Sequence, residues 1–136
     1  MIKEARTLFS GQYAHLLPVF SRLYALFEEE DCAAYVKTHY VGFSLPEGSV
    51  AAAHPHEGSE IELALALPEN HTSKLLHDAS HLKWRSLPLA VTIRDDATFE
   101  SAVPLIYEAI SRMRHGSHDV QLDNARFKGR GSRFIS

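Results

Sequence analysis

The stretch LPLAVTIRDDATFESAVPLIYEAISRMRHG, from Leu87 to Gly116, changes its hydrophobic period part-way along, and that change decides the fold. Leu87, Leu89, Val91 and Ile93 alternate with Pro88, Ala90, Thr92 and Arg94, which sends successive side chains to opposite faces of a half-buried strand. Phe99, Val103, Ile106, Ile110 and Met113 then recur at three- and four-residue steps, the apolar stripe of a helix. Asp95 or Asp96 caps its start by accepting bonds from unpaired amides, and Arg112, Arg114 and His115 complement its negative end before Gly116. Pro104 lacks an amide donor and crowds the preceding turn, so it predicts a bend or a nearby helix start.

Upstream, Glu4 to Phe9 reads as a helical turn or two before Ser10-Gly11. Pro18 opens a longer helix whose face is Val19, Phe20, Leu23, Leu26 and Phe27, and the acidic run Glu28 to Asp31 opposes the helix dipole and ends it. Ala33 to Val36 and His39 to Ser44 form a hairpin bent near Lys37-Thr38. Val50 to His54 is a third strand, and Ile61, Leu63, Leu65 and Leu67 alternate along a fourth after the turn Pro55 to Ser59. The segment Pro68 to Ser86 is expected to hold a short helix over Thr72 to Asp78.

Turns this short favour antiparallel neighbours, because parallel pairing needs a long crossover. The expected fold is two-layer α+β: a mainly antiparallel sheet of about five strands with two long helices packed on one face, in a single domain over 1–116. Residues 117–136 form a basic C-terminal tail in which Arg126, Lys128, Arg130 and Arg133 interleave with Phe127 and Phe134. On the sheet's other face the drawn registers gather Ala51, Ala53, Ala64, Ala66 and Ala90 into a smooth surface, flanked by a polar rim of Glu60, Glu62, Thr92 and Arg94. That surface is either covered by Pro68 to Ser86 or offered to a ligand or a second copy in a homodimer.

Length and composition set limits. A chain of 136 residues, 45% apolar and 23% charged, has the size and balance of one globular domain that needs no disulfide to hold its core. Its start carries no long apolar run behind basic residues, so neither a signal peptide nor a membrane anchor is expected, and the single Cys32 fits a cytoplasmic protein. The acidic neighbours of Cys32 raise its pKa and argue against a reactive thiol. A net charge of -3 opposes a nucleic-acid surface over the whole domain and leaves the basic tail as the one nucleic-acid candidate.

Nine histidines carry the chemical interest. His54 and His56, two apart on a strand, share a face; His77 and His81, four apart, share one if their segment is helical. Together they offer zinc three or four imidazole ligands, the donor set of a metal-dependent hydrolase. No Glu lies within the His77–His81 pair as in the metalloprotease pattern, and Pro55 is expected to break the strand between the other two. The run His81-Leu82-Lys83-Trp84-Arg85 sets an imidazole, two cations and the only Trp before the last strand, suited to an anionic or aromatic ligand.

The order of features also resembles a bacterial domain family of unknown function, relatives of which are labelled predicted transport proteins. The residues that carry the resemblance are Phe9-Ser10-Gly11, Val36-Lys37-Thr38, Val41-Gly42-Phe43, Ile61 to Leu67, His81 and Val91 to Ile110, over about Leu8 to Met113. Lys37-Thr38 inverts the family's Thr-Lys order, and the tail lies outside the resemblance.

The sequence thus predicts a non-catalytic module that binds a small ligand or a protein partner through Lys37, Tyr40, His81, Lys83, Trp84 and Arg85. The metal-dependent hydrolase on His54, His56, His77 and His81, and a nucleic-acid role for the tail, are its alternatives.

Overall fold

The computed structural model describes residues 1–116. The basic tail, and with it the nucleic-acid reading, lies outside them. A short helix α1 (Lys3–Leu8) and a 3-10 turn (Gly11–Leu16) lead into α2 (Leu17–Glu29). Strands β1 (Ala33–Val36), β2 (Val41–Leu45), β3 (Gly48–His56) and β4 (Glu60–Leu65) follow, then β5 (Leu76–Asp78), a second 3-10 turn (Ser80–Leu82), β6 (Leu89–Ile93) and α3 (Asp96–Arg114). The six strands form one sheet in the order β1-β2-β3-β4-β6-β5, every neighbouring pair antiparallel. The fold is α+β, as the hydrophobic periods predict.

Each element follows from its residues. Pro18 lies in the first turn of α2, and Val19, Phe20, Leu23, Tyr24, Leu26 and Phe27 turn inward from it. Asp95 caps α3: its carboxylate accepts from the Thr98 amide, and the Thr98 hydroxyl accepts from the Asp95 amide. Pro104 is well inside α3, eight residues after its start, so a nearby start is not how its penalty is met; it occupies an exposed position of an unbroken helix. The two long helices run the same way, tied at one end by Arg22 to Asp96 and Glu100 and at the other by Arg114 to Glu30. Phe27 of α2 stacks on Phe43 of β2 with centroids 4.2 Å apart, which fixes the face of the sheet that α2 covers. Cys32 is buried in this core, and its thiol is pushed up to about 11 by burial, with nearby Arg114 partly opposing.

Two expectations about the sheet need correction. Thr72 to Asp78 is not a helix: the chain runs irregularly to Ser73 and then forms β5, a sixth strand that pairs on the outer edge of β6. Pro55 does not break β3. It pairs with Ile61 beyond Ala53, the last β3 residue that β2 reaches, where β3 has a strand on one side only and a missing amide is tolerated.

The alanine face also differs by one position in β3. Ala51 and Ala53 pair with Leu65 and Leu63 and so lie on the helix-covered face, while Ala52 pairs with Ala64 and joins the other. Ala52, Ala64, Ala66 and Ala90 are fully buried within the single chain, so they present no surface for a homodimer. Among the described residues no helix is long and apolar enough to cross a membrane.

Candidate functional site

One cross-strand row explains how this face accepts a cover. Tyr35, Gly42, Ala52, Ala64, Ala90 and His77 are successive partners across all six strands, large only at its two ends. The Tyr35 ring folds over Gly42 so closely that a Cβ there would lie 2.2 Å from it, which is why this position takes glycine. The four small residues leave a trough. The β5–β6 connection crosses it, bringing His81 to Glu62 and Trp84 to His54.

In the adjacent row His54, Glu62 and Thr92 are partners across β3, β4 and β6. Glu62 is 4% exposed, the one charged residue among the buried positions described. Its Oε2 lies 2.8 Å from His77 Nε2 and 2.7 Å from His81 Nε2. An ionised carboxylate only accepts, so both imidazoles present an N–H to it. Burial pushes the Glu62 carboxyl up, but the hydrogen bonds and charge of His77 and His81 outweigh burial and hold it below the usual carboxylate range. Strands β4 and β5 are separated by β6, yet Glu62 meets His77 diagonally across it, passing Thr92, its own β6 partner, and Ala90, the small β6 partner of His77. The second oxygen, Oε1, is buried with no hydrogen-bond partner, and His56 Nδ1 stands 3.9 Å from it.

On the other side of His81 opens a cleft of about 590 Å³ between the β1–β2 bend and the β5–β6 connection. Its wall is aromatic. Tyr40 lies with its ring centroid 5.1 Å from His54 and 5.1 Å from Trp84, and the Trp84 indole N–H points at His54 Nε2 across a long 3.5 Å contact. Burial lowers the His54 pKa and raises that of Tyr40, so both rings are neutral at pH 7. Lys37 and Lys83 also line the cleft, with Thr38, His39 and Leu82, and no acidic residue does. Lys83 adopts a left-handed conformation, φ 66°, at the end of the 3-10 turn, and this reversal swings the chain so that Trp84 comes back over the sheet.

The structure therefore brings together Lys37, Tyr40, His81, Lys83 and Trp84, five of the six residues expected to bind a ligand; Arg85 is exposed and outside the cleft lining. The histidine set regroups. His77 and His81 do converge, through a strand followed by a 3-10 turn rather than through a helix, while His54 turns to Trp84 and His56 to the side of Glu62. As the side chains lie, no group of three or more His, Cys, Asp or Glu among the described residues is set out to hold a metal ion. Glu62 was expected on a polar rim, since alternation alone points it away from the helices. Its burial comes from a segment fifteen or more residues further along, which no local period reveals.

Comparison with known proteins gives no matching family model, no matching curated protein and no matching solved structure. The site is thus interpreted from its own geometry.

Proposed function

We propose that the protein is a binding module whose cleft takes a small planar anion: an aromatic or heteroaromatic ring bearing a carboxylate or phosphate. The observation that carries this reading is the contact cluster of Tyr40, His54 and Trp84 beside Lys37 and Lys83, in a lining without acids. The aromatic wall, with Tyr40 and Trp84 set edge to face, offers ring faces and edges against which a planar ring packs, and the two ammonium groups offer charge for its acidic substituent. The cleft volume falls within the range of small-molecule sites, roughly 300 to 1,000 Å³. A chain with net charge -3 that gathers only cations and imidazoles here concentrates attraction for anions at this place. Cys32 takes no part; its buried thiol fits a cytoplasmic module.

Trp84 is the only tryptophan, so its emission reports the cleft directly. Salicylate and adenosine monophosphate are the probes, with benzyl alcohol as the uncharged control. Saturable change with at least one anion, weakened by salt and lost in Lys37→Glu/Lys83→Glu, is expected. No saturable change with either anion, or equal binding of the uncharged ring, would overturn the reading.

A further inference from the structure

We propose that Glu62, His77 and His81 form a binding site for a divalent transition-metal ion of the zinc type, with His56 beside it. The donor chemistry is the first argument. One carboxylate and two imidazoles converge from β4, β5 and the 3-10 turn, with both Nε2 atoms on the same carboxylate oxygen, and this is a donor set that binds zinc and ferrous iron.

The second argument is independent of that composition. The Glu62 side chain is 5% exposed, and its Oε1 has no hydrogen-bond partner. A buried carboxylate oxygen left unpaired is costly, and nearly all such atoms in folded proteins are satisfied. A cation beside the two imidazoles that is chelated by both oxygens of this carboxylate satisfies it. His56 Nδ1, 3.9 Å from Oε1, is too distant to do so by hydrogen bonding, and near enough to turn toward an ion.

Spacing explains why the cluster is closed rather than spread as ligands. Donors around a tetrahedral ion with bonds of 2.0–2.1 Å stand about 3.3 Å apart, roughly half an ångström wider than the hydrogen-bonded contacts. The His77 and His81 side chains are 41% and 51% exposed, so both rings have room to swing outward and an ion has a route in. His54 is excluded from the set, because its Nε2 faces Trp84 and its ring is held between Trp84 and Tyr40. His81 also lines the cleft, so an ion here borders the proposed ligand site without depending on it.

The test uses the full chain without an affinity tag, stripped with a chelator and titrated with Co(II), then separately with Zn(II) during thermal melting. One equivalent of Co(II) with visible absorption, and a melting temperature raised by zinc, are expected. His77→Ala, an exposed edge position, and Glu62→Gln are each expected to weaken binding by more than the 10- to 100-fold that even an outer partner is worth. His15→Ala, on the first 3-10 turn, is the control and binds as the parent does. Absence of the absorption and of the melting shift overturns the site, and so does unchanged binding in His77→Ala. If Glu62→Gln fails to fold, His77→Ala decides alone.

Discussion

Gly42 and Phe43 are neighbours in β2 and point to opposite faces of the sheet. On one face Phe43 stacks on Phe27 at 4.2 Å and meets Tyr24 edge-on at 5.7 Å, under two long helices. On the other, Gly42 begins a run of small residues through Ala52, Ala64 and Ala90, covered by the Tyr35 ring at its start and by a connecting segment that carries His81 and Trp84. The first face is filled by large rings and aliphatic chains. The second is kept shallow, and the depth saved there holds a buried carboxylate and borders a cleft. On the function proposed above, stability and binding fall to different sides of one sheet, and that division is open to test by substitution on each side.

The largest effect is expected on the helix-covered face. Phe43→Ala removes a side chain that is 1% exposed and leaves a cavity beneath α2, at a cost of about 3–5 kcal/mol. Denaturant unfolding followed by circular dichroism measures it. A loss below 1 kcal/mol would mean that this face is not where the fold is held.

The fold was legible in the sequence where one period persisted. Ile61 to Leu67 and Leu87 to Ile93 alternate for seven residues each, and the stripe from Phe99 to Met113 runs four turns behind a capped start. Strand β5 was not legible, because three residues are too few to show a period and the four-residue spacing of His77 and His81 imitates a helix. The assignment of Ala51 and Ala53 failed for another physical reason: in a run of three alanines, Ala51 to Ala53, nothing marks which one points inward, and one step reverses the face. Of the site, the residues near the Lys37–Tyr40 bend and around Trp84 were recognisable as chemical types. Glu62 was not, since what buries it is remote in sequence.

A smaller effect, more local in its consequence, is expected in the trough. Ala90 is the β6 partner of His77 on the face where Glu62 reaches it, so Ala90→Leu places a branched side chain beside the contact of carboxylate and imidazole. Overpacking of this kind costs about 1–3 kcal/mol, less than the cavity under α2. The His77 ring is pushed outward, and its imidazole NMR signals move toward those of a solvent-exposed ring. An undisturbed His77 signal would show that the contact does not cross the trough over this residue.

The smallest effect is expected at the most conspicuous residue. Glu62 is a buried charge, and removing one partner of a buried ion pair ordinarily destabilises, because the other charge is stranded. Here the partners are not stranded: His77 and His81 are about half exposed and return to water when the carboxylate is gone. Glu62→Leu also removes the burial of a carboxylate and of its unpaired Oε1, and it extends apolar surface in a strand whose neighbours Ile61 and Leu63 are fully buried. The losses and gains are of similar size, so the stability of Glu62→Leu is expected to stay within about 1 kcal/mol of the parent. Denaturant midpoints measured side by side with Phe43→Ala make the comparison direct. A loss as large as that of Phe43→Ala would mean that the small-residue face holds the fold together as much as the helix-covered one, and the division of labour between the two faces would fail.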